Sequence, residues 1–424
     1  MCTPFEDSMK FFFRQCLALV ISVSMGMAIA QPADEHVDTL IIDETLSLRD
    51  VVDLTYQHYP QQAIVQAYQD EVQALEQRST SWIAGYPMIY LQYIDDSLIS
   101  DRGISDIQSG YQIPMWMWGQ KEASQKVTDQ ASLAAERYAV ALKHEIAGLV
   151  RDTLWSIRLA ENRHEINKKI LAVAEDLLHV VDRRVQLGDM SKSDMLLAES
   201  DVLEKKTLAM QSETDVIHAW KVYQNLTRTR SIPTRHDEIL AHDIALTETH
   251  PAIAAATASV ERAQAEVDFV RLSKQGNQPS VLIGTDSTSV SRSRDYGTGT
   301  NVVFQIPIGG DDWHAPQVAQ ANLLLNEKLA QREGLHRQLE KAVHEAQHNL
   351  ELDERALVVA SRRKEIADEQ LRMSRFALEN GEISMIDFLK VQTNAQSAIK
   401  EASERTIAVK RDISKLHQAV GISP

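Results

Sequence analysis

Two kinds of hydrophobic spacing alternate along the 424-residue chain, and the alternation runs through twice. From Leu46 to about Ser81, apolar residues such as Leu48, Val52, Ile64, Ala67, Val72 and Leu75 recur at helical steps among Gln, Glu and Asp, and Pro60 kinks or splits the element. At Trp82 the period drops to two. Met88 to Ile94 reads as one strand; Ile107, Tyr111 and Ile113 lie on one face of the next, with Gln108, Gly110 and Gln112 on the other, and a polar turn from Asp95 to Ser105 joins them. Gln120 to Leu187 then has one glycine, Gly148, and no proline, a helical run of roughly 100 Å if continuous. Lys192 to about Leu226 returns beside it. The second pass repeats this order after a linker, Ser231 to His250, that contains Pro233. A further helix leads to a strand opened by Val281 and Ile283, then a polar loop from Ser287 to Gly299. Val302, Phe304 and Ile306 mark the next strand, Gln317 to Asn380 a second long helix, and Met385 to about Val420 its return.

The repetition extends to residue identity. Gly188-Asp189-Met190-Ser191-Lys192-Ser193-Asp194-Met195-Leu196 recurs as Gly381-Glu382-Ile383-Ser384-Met385-Ile386-Asp387-Phe388-Leu389, 193 residues later. The same offset carries Gln112-Ile113-Pro114 onto Gln305-Ile306-Pro307. The chain reads as a tandem duplication. Its first repeat is 31–242, with a β-hairpin at 87–114 and a helical tip near 188; its second is 243–424, with a hairpin at 279–307 and a tip near 381. At each tip a glycine suits the left-handed turn that ends a helix, and the serine three residues on can cap the next helix. Asp194 and Asp387 fall in the first turn of the outgoing helix, where they either stabilise its start or line a pore.

Four strands of about ten residues have the length that crosses a bilayer when tilted, but cannot close a barrel. Copies of the chain must supply the rest: a dimer gives eight strands, a trimer twelve. Seven aromatic residues between Trp82 and Trp118 favour a membrane boundary over a soluble β core. Residues 1–30 read as a secretory leader, with a basic start from Met9 to Arg14, an apolar run from Cys16 to Met27 and Ala28-Ile29-Ala30 as cleavage site. Both cysteines, Cys2 and Cys16, fall in that leader, so the mature chain has no disulfide, thiolate ligand or cysteine nucleophile. A net charge of -16 argues against nucleic acid as a partner.

Little in the sequence is built for catalysis. His344-Glu345-Ala346-Gln347-His348 fits the H-E-x-x-H pattern of zinc peptidases, which would make the protein a secreted metallopeptidase. The first repeat lacks a counterpart, however, and the surrounding helix is dense in Glu, Gln and His. His58, His164, His218 and His314 have no ligand spacing, and Gly309-Gly310 precedes acidic residues rather than a phosphate-binding helix. No catalytic, cofactor-binding or metal residue is assigned. A soluble periplasmic coiled-coil scaffold is the other alternative.

The two copies of helix, strand hairpin ending in Gln-Ile-Pro, long helix and Gly-acid-aliphatic-Ser-x-x-Asp-x-Leu tip resemble the TolC-like outer-membrane efflux proteins of Gram-negative bacteria, over about residues 45 to 421. The resemblance implies a mainly α fold with a small β part, which as a homotrimer forms a 12-stranded outer-membrane β-barrel on a long periplasmic α-helical barrel. It implies a passive exit duct of a tripartite efflux system, partnered by a periplasmic adaptor, a proton-driven inner-membrane pump and outer-membrane lipid. By the same likeness Gly188, Asp189, Ser191, Gly381, Glu382 and Ser384 would contact the adaptor, and Asp194 and Asp387 would ring the periplasmic aperture. Two departures stand out: Lys390 occupies a position where some relatives carry a further carboxylate, and no cysteine is placed for the acylated N-terminus that many relatives have. The short mature chain looks more like the metal-cation branch than the drug branch.

Overall fold

The computed structural model describes residues 39–242, 244–273, 278–290 and 295–424. The leader expected at 1–30 lies outside them. Seven helices follow from the spacing above: α1 (Leu48–His58), α2 (Gln62–Thr80), α3 (Gln120–Gln186), α4 (Lys192–Thr227), α5 (Pro251–Leu272), α6 (Asp311–Glu379) and α7 (Met385–Val420). Pro60 splits α1 from α2, because it can donate no helical hydrogen bond and disfavours helix at the residue before it. Six strands accompany them: β1 (Ile41–Asp43), β2 (Met88–Asp95), β3 (Ser105–Pro114), β4 (Ser231–Pro233), β5 (Ser280–Ser289) and β6 (Gly297–Gln305).

Helix α3 is the hub. Leu142, Ile146, Val150 and Leu154 repeat at four-residue steps and present one stripe to Leu48, Val51 and Val52 of α1 and to Tyr223 of α4. Along its length α3 also packs on α2, α5 and α7, while α6 packs on α5 and α7. The long helices therefore stand in the order α4–α3–α7–α6, with α4 and α6 at the open ends.

Strands β2, β3, β5 and β6 form one antiparallel sheet in that order, leaving β2 and β6 as edges. The two hairpins meet where Gly110 faces Gly284. A Cβ on Gly110 would lie 2.6 Å from the Ile283 carbonyl oxygen, so only glycine permits this approach. Across the strands Ile89, Tyr111, Ile283 and Val302 line up as one row on one face, and all four are exposed. The opposite face carries a polar network beside Met88, Leu282 and Val303: Gln112 Nε2 donates to Ser280 Oγ and to Gln305 Oε1, each at 2.9 Å, and Thr288 donates to Asp106.

Three expectations need correction. Ser287–Gly299 is not all loop, since β5 runs to Ser289 and β6 starts at Gly297. The polar strand ends are held by ladder pairing and by cross-strand hydroxyl contacts such as Ser287 with Thr298 at 2.9 Å, so polarity there does not mean irregularity. Helix α6 begins at Asp311 rather than after Pro316, which lies inside it. Gly310 enters the helix in a left-handed conformation and Asp311 and Asp312 suit the dipole of the first turn, gains that offset one lost backbone bond. The stretch from Ser231 to His250 is more than a linker, because β4 pairs in parallel with β1 and His250 caps α5 ahead of Pro251.

That stretch is pinned by buried polar groups. Arg151 of α3 holds Glu238 through two hydrogen bonds of 2.6 and 3.1 Å, donates to the Ile422 carbonyl at 3.1 Å and reaches Gln418 of α7. Burial alone would raise the Glu238 carboxyl, but the bonds and charge of Arg151 prevail and hold it below the usual range. Nearby, His144 packs edge-on against His250, 5.2 Å between centroids, and its Nε2 lies 3.0 Å from the Gln418 carbonyl. Burial lowers the His144 pKa from 6.5 to about 4. The unfolded chain therefore protonates first, and the contribution of neutral His144 is complete above pH 6.5 and lost as pH falls towards 4. His144→Gln is expected to flatten the fall in stability between pH 7 and pH 5 by about 1 to 2 kcal/mol, read from thermal unfolding at both pH values.

Candidate functional site: the paired hairpin tips

Both tips form as their sequence requires. Gly188 and Gly381 take φ of +84° and +74°, the left-handed conformation that turns each chain out of its helix. Ser191 Oγ accepts from Asp194 N–H at 3.2 Å, and the Asp194 carboxylate accepts from Ser191 N–H and Oγ–H, which completes a capping box for α4. Ser384 caps α7 through Asp387 N–H at 3.2 Å and donates its hydroxyl to Asp387 at 2.7 Å, without the backbone half of the box. Asp387 also has Lys390 Nζ at 3.4 Å. Its carboxyl lies below the usual range, first because of the Ser384 hydroxyl and then because of Lys390.

The two tips, 193 residues apart in sequence, are side by side. Val181 and Ala198 of the first hairpin pack on Leu378, Met385 and Phe388 of the second, with Met190 and Ile383 closing the cluster at the turns. Arg184, in the last turn of α3, donates to the Leu378 carbonyl at 3.1 Å and to the Glu379 carbonyl at 2.7 Å. Those are among the unpaired carbonyls that end α6, where a cation is also favoured by the helix dipole. Sequence reasoning missed Arg184. Its signal was a basic residue one turn before the tip glycine, legible only once the tips are known to touch.

A cleft of about 550 Å³ opens between the tips. Gly188, Asp189, Ser191, Asp194, Gly381 and Ser384 line it with Arg184, Met190 and Ile383, whereas Glu382 and Asp387 stand outside. A larger cleft of about 900 Å³ lies between α3, α6 and α7 beneath residues 234–237. Two of its ion pairs are Lys410 with Asp237 at 2.7 Å and Lys169 with Glu165 at 2.6 Å; the tip cleft, where both copies of the repeated motif meet, is taken as the candidate site. His344 and His348 of the H-E-x-x-H sequence are exposed on α6, their rings parallel with centroids 6.5 Å apart. Among the described residues no group of three His, Cys, Asp or Glu is placed to hold a metal.

A four-stranded sheet with open edges, continued by two long helical hairpins whose tips meet, is a TolC-like protomer fold. Solved structures agree. A membrane protein from Pseudomonas aeruginosa superposes with a TM-score of 0.71 at 16% identity, over 91% of this chain and 92% of that one. The Campylobacter jejuni CmeC outer membrane channel gives 0.68 at 14% identity, over 88% and 85%. The Vibrio cholerae outer membrane protein VceC gives 0.69 at 14% identity, over 88% and 96%. No protein-family model and no curated protein matches the chain in sequence. The chain therefore has the TolC-like fold of outer-membrane channels. No described helix is long and apolar enough to cross a membrane.

If Arg184 clasps the tips, Arg184→Ala should raise hydrogen exchange at the amides of Asn380, Gly381 and Glu382 about ten- to hundredfold, the loss of a charge-assisted bond, while the middle of α7 keeps its protection. Mass spectrometry of the extracted protein reads both regions at once.

Proposed function

We propose that the protein is the exit duct of a tripartite efflux system: a homotrimer in which four strands from each copy close a twelve-stranded outer-membrane barrel and the long helices form a periplasmic tunnel. The observation that carries this reading is the sheet. One face carries the exposed apolar row Ile89, Tyr111, Ile283 and Val302, and the other carries the hydrogen-bonded chain Gln112, Ser280 and Gln305 beside Met88, Leu282 and Val303. That is the reverse of a water-soluble sheet and the arrangement of a barrel with lipid outside and water inside. Unpaired edges are not tolerated in lipid, so β2 of one copy must meet β6 of the next.

On this reading the paired tips receive the periplasmic adaptor, through Gly188, Asp189, Ser191, Gly381 and Ser384 in the cleft and Glu382 beside it. An inner-membrane pump, proton-driven, loads the tunnel, and metal cations are the substrate class that the acidic tips suit. The mechanism is gating: the tips constrict the tunnel, and adaptor binding moves the helices apart. Asp194 and Asp387 contribute negative charge at the aperture, which concentrates cations there. Asp194 also serves its capping box, so Asp387, outside the cleft and half-matched by Lys390, is the cleaner probe of the aperture.

The protein is expected in the outer-membrane fraction as a detergent-extracted trimer; a periplasmic monomer would end the reading. Asp387→Asn should change single-channel conductance or cation block in planar bilayers, and identical traces would remove Asp387 from the aperture.

A further inference from the structure

Six buried polar atoms without a hydrogen-bond partner line one space, the cleft of about 900 Å³ between α3, α6 and α7. They are Trp155 Nε1 and Asn162 Nδ2 of α3, both ring nitrogens of His236 in the stretch over the cleft, and Nε2 and Oε1 of Gln392 on α7. Trp155 is 3% exposed and Gln392 2%. A buried polar group left unpaired is costly, so a concentration of them around one hollow calls for partners from outside the chain.

The hollow has two polar ends and an apolar strip between them. Asn162 Oδ1 accepts from Ser403 Oγ at 2.7 Å, which sets Asn162 of α3 level with Ser403 of α7. Gln392 lies eleven residues nearer the tip on α7, about 16 Å along the helix axis. Ile166, Ile170 and Val173 of α3 and Ile399 of α7 line the space between these levels. Those side chains offer water no hydrogen bonds, so water alone fills the middle of the hollow poorly.

The upper end favours negative charge. Trp155 and the Asn162 amide nitrogen can only donate. The His236 ring stands edge-on to Trp155, 4.6 Å between centroids, and burial lowers its pKa, so it is neutral at pH 7 and offers one N–H and one lone pair. Arg158 lies within one turn of both Trp155 and Asn162 on the same face of α3, is exposed, and is in no ion pair among the described residues. Nearby acids are matched, Asp237 by Lys410 and Glu165 by Lys169. Gln392, at the lower end, offers a donor and an acceptor but no charge.

We propose that this cleft binds an elongated organic anion that is polar at both ends. Its carboxylate or phosphate accepts from Trp155, Asn162 and His236 and faces Arg158, its apolar body lies along Ile166, Ile170, Val173 and Ile399, and a hydroxyl or amide at its far end meets Gln392. The site is built within one copy of the chain, so it goes beyond the exit-duct reading and does not rest on it.

Photo-crosslinking of the full-length protein in lipid nanodiscs with a diazirine analogue of ω-hydroxydodecanoate tests the site. Label should map by mass spectrometry to peptides within 155–173 and 392–407. Either ω-hydroxydodecanoate or ω-hydroxydodecyl phosphate should displace it, the stronger of the two identifying the head group, and dodecanediol should compete about tenfold more weakly or less. Arg158→Gln should cut labelling about tenfold, the loss of one charge-assisted contact. Gln392→Leu should abolish the preference for ω-hydroxydodecanoate over dodecanoate, with a thermal midpoint no lower than that of the parent. Label absent from both peptides, equal competition by dodecanediol, or parental labelling and preference in both variants overturns the proposal. None of these results bears on the duct, which the native mass and the conductance decide.

Discussion

The backbone of β2 and β6 sets the terms for the rest of the molecule. Each edge strand has one side of its ladder without a partner in the described chain, and the exposed row Ile89, Tyr111, Ile283 and Val302 belongs in an apolar solvent. An unpaired peptide group costs several kcal/mol in hydrocarbon, so eight or nine residues of open edge cannot persist there. Water would satisfy the edges but not the apolar face. Lipid would suit the face but not the edges. Closure with further copies meets both demands at once, and the open ends of the helix row raise the same demand in the aqueous part of the molecule.

Rigidity at the tips is local and inexpensive in residues. Each turn needs one glycine in a left-handed conformation and one serine cap, and Arg184 then joins the two turns by bonding the carbonyls that end α6. The tips of one copy thus behave as a pair. Their acidic groups are not equivalent, however similar the two nonamers look. Asp194 is engaged by backbone and hydroxyl of Ser191, whereas Asp387 is shared between Ser384 and Lys390. A duplicated sequence has produced two tips with one geometry and two electrostatic environments.

Much of the fold was legible because its signals are local and strong. The switch from helical to alternating period at Trp82, the glycine-serine spacing of the tips and the absence of proline from α3 each fix an element without tertiary help. What escaped has a common cause. The pairing of β1 with β4, the continuation of β5 to Ser289 and the clasp by Arg184 all depend on partners far away in sequence, and each is written in residues that look like ordinary loop or helix surface. Of the candidate site, the glycines, serines and acids were readable as a motif. Their convergence was not, because no periodicity says that Gly188 and Gly381 share a cleft.

The two long helices show why equal sequence length does not mean equal role. Helix α3 packs on α1, α2, α4, α5 and α7, has most of its buried residues between Gln120 and Ile157, and carries the charged hub at Arg151. Helix α6 is slightly longer and has few buried residues, because it stands at the end of the row with α5 and α7 on one side only. A 69-residue helix with apolar residues such as Val359 and Ile366 facing outward would be a poor way to end a protein. On the proposed trimeric reading, that exposed side is where the tunnel wall would continue.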